Sequence, residues 1–171
     1  RDIEKRSGKK IVSSENFRIK GKIEFNYTQG MVSAPVQSEP VAIGQPYTIK
    51  WRTTGTVPNV TIKYDLNDGK GANGIAGDSD DFPYTIVSDV ANSGEYAWSA
   101  VPDQGTAFAK IRVIDSRSDN SDVYDDSARF NIVGNFDIQT PAGGEAFSVN
   151  VTQSITWKWG GTIPRVKLSY T

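Results

Sequence analysis

The acidic side chains between residues 65 and 81 are candidates for chemistry because they cluster in a short, glycine-rich stretch. The stretch DLNDGKGANGIAGDSDD carries five aspartates and four glycines. Hard cations such as Ca²⁺ bind clustered carboxylate oxygens, so Asp78, Asp80 and Asp81 are candidate calcium ligands. The alternative interpretation is a solvated acidic loop without an ion, since exposed loops of this composition need no ligand.

Catalysis is not expected from these acids. The chain has no histidine and no cysteine, which removes the commonest general base, the usual zinc ligand and thiol nucleophiles. A carboxylate pair would serve a glycosidase only if a cleft held the two groups roughly 5 to 10 Å apart. The EF-hand loop is also absent, because Lys70 and Ala76 occupy the positions that require glycine and glutamate. We therefore predict a non-enzymatic protein with no cofactor other than the candidate calcium ion.

Trp159 is a candidate for binding a ligand such as a carbohydrate. It shares the strand parity of Trp157 but lies at a predicted turn, and a similar stretch earlier in the chain has Thr53 at this position. A large aromatic ring that stays exposed provides an apolar surface for a partner. The alternative is that Trp159 fills a core or packs against a neighbouring unit.

The charge distribution limits the partners. The formal net charge is −1, yet residues 65–126 carry thirteen acidic and four basic side chains, a local net charge of −9. Nucleic-acid binding requires a basic face that displaces counterions, so we expect none. No apolar run approaches the roughly 20 residues of a membrane-spanning helix, so we expect no membrane span in this segment.

The elements that position these residues occur twice. Residues 49–64 of the stretch YTIKWRTTGTVPNVTIKY, which begins at residue 47, align without a gap with ITWKWGGTIPRVKLSY, residues 155–170, at a number difference of 106. A second similarity relates Phe17–Ile23 to Phe130–Phe136 at a difference of 113. A period this long indicates tandem domains rather than a solenoid, whose repeats are about 20 to 50 residues long.

The apolar residues alternate with a period of two, and turn signals recur about every 8 to 12 residues. This pattern predicts antiparallel strands with one buried face, as in an immunoglobulin-like β-sandwich. We expect an all-β fold with about seven strands between Lys22 and Val133, no helix, and Trp51 and Trp98 filling the centre. The predicted domains are residues 1–21 as a lead-in with the last strand of a preceding repeat, 22–134 as one complete repeat, and 135–171 as the first part of a following repeat.

Several short motifs occur in an order that resembles a known family. They are Gly94-Glu-Tyr-Ala-Trp98, Val101-Pro-Asp103, Lys110-Ile-Arg-Val, Asp125-Asp-Ser with Phe130-x-Ile132, and Pro141-x-Gly-Gly-Glu145 in the second copy. Together with the two tryptophan strands they are similar to the Ser/Thr-rich GPI-anchored membrane family repeat. That family is related to fungal cell-wall β-glucan assembly proteins and occurs in tandem in large bacterial surface proteins. The resemblance covers residues 22–171 and implies an extracellular, non-catalytic β-sandwich module.

The leading hypothesis is a structural spacer of a large extracellular or cell-surface repeat protein. Its partners would be neighbouring repeats or copies of itself. In a sharper version, strands from a neighbouring subunit complete the partial repeats and build a filament or surface layer. The alternatives are an adhesion module that binds a protein or cell-wall glycan, and an accessory domain of a secreted hydrolase.

Overall fold

The fold is described by a computed structural model over residues 18–25 and 34–169. This part contains twelve β-strands and one short 3-10 helix, Ser118–Asn120, and no helix in it is long and apolar enough to cross a membrane. The strands are β1 (Lys22–Glu24), β2 (Pro40–Ala42), β3 (Tyr47–Lys50), β4 (Arg52–Thr54), β5 (Asn59–Asp65), β6 (Tyr84–Ala91), β7 (Glu95–Trp98), β8 (Thr106–Asp115), β9 (Tyr124–Asp126), β10 (Phe130–Val133), β11 (Asn135–Thr140) and β12 (Thr156–Gly160).

The first ten strands form a sandwich of two sheets, which we call the first unit (residues 22–133). The larger sheet has the order β2-β10-β8-β5-β6, and β9 pairs with β8. In the smaller sheet β1 pairs with β4 and β3 pairs with β7, and only Trp51 separates β3 from β4. Strand β2 runs parallel to β10, and the other described pairs are antiparallel. The predicted all-β, immunoglobulin-like class is confirmed.

One hydrophobic core fills the space between these sheets. It holds Ile23, Phe25, Val41, Ile43, Ile49, Trp51, Val57, Val60, Ile62, Tyr64, Trp98, Val101, Ala109, Ile111, Val113, Val123, Phe130 and Ile132. The Trp98 ring lies against Tyr64, with the ring centroids 5.2 Å apart. Both tryptophans predicted for the centre, Trp51 and Trp98, are therefore buried core residues.

The strand count differs from the expected seven. Two long strands are each divided. Strands β3 and β4 are separated at Trp51, whose backbone N–H still donates to the Gly94 carbonyl oxygen at 2.9 Å. Strands β9 and β10 pair with different ends of β8. Alternation along the sequence reports which face a residue occupies, and it does not reveal such interruptions.

Strands β11 and β12 form an antiparallel pair in residues 135–169, which we call the second unit. Phe136 lies opposite Trp159 in this pair, and Ile23 lies opposite Thr53 in the pair of β1 and β4. Phe136 follows Ile23 by 113 residues and Trp159 follows Thr53 by 106, which are the two differences found in the sequence. The two strand pairs thus share one register.

The first described segment, residues 18–25, corrects two expectations. Strand β1 pairs with β4 of its own chain, so the idea that a neighbouring subunit completes this strand is wrong for Lys22–Glu24; Phe17 lies outside the described residues. The period-two alternation would place Ile19 on the same face as Ile23, but Ile19 is 90% exposed while Ile23 is buried. The alternation does not extend beyond Gly21, because strand β1 begins at Lys22.

Candidate functional site

The candidate calcium loop is anchored by Asp65, the last residue of β5. The Asp65 carboxylate is buried and accepts hydrogen bonds from three backbone N–H groups, those of Asn67, Gly69 and Gly71, the last two at 3.1 Å. Buried backbone donors require such partners, because leaving one unpaired costs about 1–3 kcal/mol. The loop therefore has a fixed base, which sequence analysis missed because Asp65 was counted among the exposed acids.

The loop is closed by two close approaches of its backbone. Gly71 has a φ of +58°, and a Cβ atom at this position would lie 2.4 Å from the Asp80 carbonyl oxygen, so a side chain does not fit there. Phe82 is fully buried beneath the loop, and a Cβ atom at Gly69 would lie 3.0 Å from its ring. Sequence analysis did not identify Phe82 as a core residue, because it stands alone between polar residues and outside any alternating run.

The three predicted calcium ligands lie together. One carboxylate oxygen from each of Asp78, Asp80 and Asp81 lies within 4.8 Å of the others. Their contacts also hold the loop itself: Asp80 Oδ2 accepts the backbone N–H groups of Ala72 and Asn73 at 3.0 and 3.2 Å. The Asn73 side-chain amide donates to Asp78 Oδ2 and to Asp80 Oδ1, both at 2.8 Å. The three carboxylates offer the oxygen ligands that a hard cation prefers. In the structure they accept hydrogen bonds that order the loop.

Hydrogen bonding also affects the ionisation of Asp78. The pKa of Asp78 is lowered, first by hydrogen bonding with the Asp80 side chain and then by Asn73. Next to the cluster, burial lowers the pKa of Arg112, but its hydrogen bonds and ion pair with Asp126 outweigh this effect and raise it. Asp78 and Arg112 therefore both remain charged at neutral pH.

The second acidic stretch, residues 119–126, forms no comparable cluster. Asp119 pairs with Arg18, and Asp122 pairs with Lys20 at 2.6 Å. These carboxylates bind the basic segment that leads into β1. Their described role is thus to attach that segment to the first unit.

Trp159 lies on β12 and is 63% exposed. It shares its face with Trp157 and stands opposite Phe136 on β11. Together with Ile163 and Val166, these residues line an open groove of about 180 Å³. Trp159 is therefore part of a continuous apolar face and is not an isolated aromatic platform.

A contact between the two units was not predicted from the sequence. Asp103 accepts hydrogen bonds from the Thr162 backbone N–H at 2.8 Å and from the Thr162 hydroxyl at 2.6 Å. These hydrogen bonds lower the pKa of Asp103. Val101-Pro-Asp103 was noted only as a motif, and no local signal connects it to a threonine 59 residues later.

Gly134, next to this contact, packs in the same way as its equivalent Gly21. A Cβ atom at Gly134 would lie 2.7 Å from Ile163 Cδ1, and one at Gly21 would lie 2.5 Å from Val57 Cγ2. Gly134 follows Gly21 by 113 residues, and Ile163 follows Val57 by 106. The path into the second unit therefore repeats the path into the first.

The first unit matches a known family. Residues 34–132, more than half of the chain, match the Kre9/KNH-like N-terminal Ig-like domain. The matched range extends from the residues before β2 into β10 and includes both buried tryptophans and the acidic loop. No curated protein and no solved structure matches the chain.

Proposed function

We propose, because the chain belongs to the family of Kre9/KNH-like N-terminal Ig-like domains, that it is a non-catalytic structural module of an extracellular or cell-surface protein. In this role, immunoglobulin-like units are joined in tandem, and together they act as a spacer. The family is associated with cell-wall glucan assembly, which supports a place at the cell wall. Neighbouring units, or copies of the same chain in a filament or surface layer, are the proposed partners.

The observation that carries this proposal is the shared register of the two strand pairs. Ile23 opposite Thr53 and Phe136 opposite Trp159 are the same pairing, displaced by 113 and 106 residues. A spacer protein is built from repeated domains, and repeated domains are expected to share the same strand pairing. Accidental similarity of short segments gives no reason for a common register, because a one-residue slip would turn each side chain to the opposite face.

The link between the units supports a stiff spacer. Strand β10 ends at Val133 and β11 begins at Asn135, so only Gly134 separates them. A flexible linker needs several glycine or serine residues to decouple two domains. The hydrogen bonds from Thr162 to Asp103 add a second attachment.

Small-angle X-ray scattering tests the spacer function. We expect the maximum dimension of the chain to be sharply defined, and we expect insertion of Gly-Gly-Ser after Gly134 to broaden the distribution of dimensions. A chain whose scattering is unchanged by the insertion would contradict the proposed stiffness. The insertion of the same tripeptide within residues 72–79, in the exposed loop, is the matched control.

Binding of glycan or protein is the second candidate function, and the exposure of Trp159 favours it. Pulldown with insoluble cell-wall β-glucan tests the glycan form, and Trp159→Ala is the informative variant. Phe108→Ala, which removes another exposed aromatic ring from the first unit, is the control. Glucan binding that disappears only with Trp159→Ala would support adhesion, or an accessory role beside a secreted hydrolase, over a pure spacer.

A further inference from the structure

The two units differ in the burial of equivalent apolar side chains. In the second unit, five of these side chains are 46% to 60% exposed: Phe136, Ile138, Ile155, Val166 and Leu168. Their counterparts in the first unit, at the same two number differences, are at most 2% exposed: Ile23, Phe25, Ile49, Val60 and Ile62. Trp51 is likewise buried, whereas Trp157 is only half-buried. The equivalent positions are apolar in both units, but only those of the first unit are buried.

These exposed side chains form one surface. Phe136 and Ile138 from β11 meet Ile155, Trp157 and Leu168 around an open groove of about 270 Å³. The groove is predominantly apolar, and such a contiguous apolar surface indicates an interaction site. We call it the open face.

The first unit shows what covers this face. There, the counterparts of the open face belong to one core together with inward side chains of β8 and β10, among them Ile111, Val113 and Phe130. The strand order of the second unit is also incomplete: β5 pairs with β6 and β8, while its counterpart, residues 165–169, is not part of a strand. Both the uncovered side chains and the missing strand pairing, within the residues that the structure describes, correspond to the sheet built by residues 66–133.

We propose that the open face is the inner surface of a second sandwich and that its partner is a β-sheet with the apolar alternation of β8 and β10, attached in the same polypeptide. The attachment in the same polypeptide follows from the first unit, where the covering strands come after β5 along the chain. The proposal deepens the spacer function and rests on the same repeat. Trp159 then lies at the rim of this inner surface, as half-buried Thr53 does in the first unit.

The test supplies the partner from the chain itself. Residue 171 corresponds to residue 65, so a chimera that continues from residue 171 into a second copy of residues 66–133 should complete the second unit. Hydrogen exchange is read by mass spectrometry on peptides from residues 155–169, which occur once in the chimera. We expect their amides to exchange about 100-fold more slowly than in the original chain, because they join a cooperative core.

The matched control carries Ile111→Asp and Phe130→Asp in the appended copy only. These changes place charges on the covering surface, so the peptides should exchange as they do in the original chain. A second form, residues 135–171 followed directly by 66–133, should unfold in urea as one cooperative unit. Failure of both forms to protect residues 155–169 would overturn the proposal.

The original chain provides the competing outcome. Concentration-dependent dimerisation that protects residues 155–169 without the appended strands would assign the open face to a second copy and would overturn the proposal. The proposed spacer function has its own readout, the scattering of the Gly134 insertion. A stiff joint with an unprotected open face would therefore reject this inference and leave the spacer function standing.

Discussion

At the residue scale, Asp65 is the most consequential polar side chain of the acidic loop. Its carboxylate accepts three backbone N–H groups in a buried position. We expect Asp65→Ala to lower the free energy of unfolding by about 3 kcal/mol, because it leaves the buried backbone N–H groups of Gly69 and Gly71 without a partner. Urea denaturation measures this change. Asp78→Asn, in the exposed part of the same loop, is the control and should have a much smaller effect.

Asp115 should make stability depend on acid pH. Its buried carboxylate is hydrogen-bonded by Arg117 and by Asn120, and the Arg117 hydrogen bonds are the main cause of its lowered pKa. A carboxyl group with a lower pKa in the folded state stabilises the protein above its unfolded pKa of about 3.9, and this stability is lost as the pH falls through the folded value. The free energy of unfolding should therefore decrease below about pH 4.

Asp115→Asn should make that decrease shallower, since the variant has no proton to take up at this position. Urea midpoints measured from pH 7 to about pH 2 test the difference. If the variant and the original chain lose stability in parallel over this range, Asp115 does not contribute as described.

The calcium prediction also belongs to the residue scale. If a cation binds to Asp78, Asp80 and Asp81, isothermal titration should give a dissociation constant of about 10⁻⁴ to 10⁻³ M, as in extracellular calcium modules. Asp80→Asn should weaken binding, because it removes a charge from the centre of the cluster. Heat release that is the same for the chain and for Asp80→Asn would exclude this cluster as the site.

At the element scale, Asn92 connects the interrupted strand of the smaller sheet to its neighbours. Its side chain accepts the Trp51 indole N–H at 3.0 Å and donates to Thr53 Oγ1 and to the Val57 carbonyl oxygen at 3.0 and 2.9 Å. We expect Asn92→Ala to destabilise the chain by about 2 to 4 kcal/mol, because it leaves partly buried polar groups without partners.

Asn92→Asp separates these contributions. It keeps an acceptor for Trp51 and loses the donor, so its free energy of unfolding should lie between those of the original chain and Asn92→Ala. Urea denaturation followed by tryptophan fluorescence gives all three values. An Asn92→Ala variant as stable as the original chain would show that the strand break at Trp51 needs no such connection.

The sequence predicted the parts of the fold that depend on side-chain periodicity. Trp51 and Trp98 were correctly assigned to the centre, and apolar residues that alternate with polar ones, such as Ile49 and Val113, are buried as the pattern predicts. Phe82 was not assigned to the core, because its burial results from a loop that folds over it rather than from a strand. The three loop aspartates lie near one another because they are close in sequence, and their role as calcium ligands stays a prediction. Contacts between residues distant in sequence leave no periodic signal.

At the scale of the whole molecule, the contact of Asp103 with Thr162 should control the orientation of the two units. We expect Asp103→Ala to widen the range of orientations, measured by residual dipolar couplings of the amides in residues 34–133 and 135–169. Thr162→Val, which keeps the backbone donor and removes the hydroxyl, should have a smaller effect. Couplings in Asp103→Ala that still fit a single alignment tensor would show that Gly134 alone fixes the joint.

The tandem organisation stays a prediction from the repeated tryptophan stretch, and the common register of the two strand pairs supports it. The joint could not be predicted, because Asp103 and Thr162 belong to different units and each has an unremarkable local sequence. The exposure of the open face also could not be predicted from the local sequence. The sequence shows that Phe136 and Leu168 are apolar, but it does not show which strands pack against them.

Cysteine crosslinking tests the repeat most directly, since the chain has no cysteine of its own. Glu24 lies opposite Arg52, and Asp137 lies opposite Lys158. Cysteine pairs at both sites should form disulfides readily under mild oxidation, because directly opposed strand residues have Cβ atoms about 4.5–5.5 Å apart. Pairs displaced by two residues, Lys22 with Arg52 and Asn135 with Lys158, should form them poorly. Efficient crosslinking of a displaced pair in either unit, with failure of the opposed pair, would contradict the common register and the repeat.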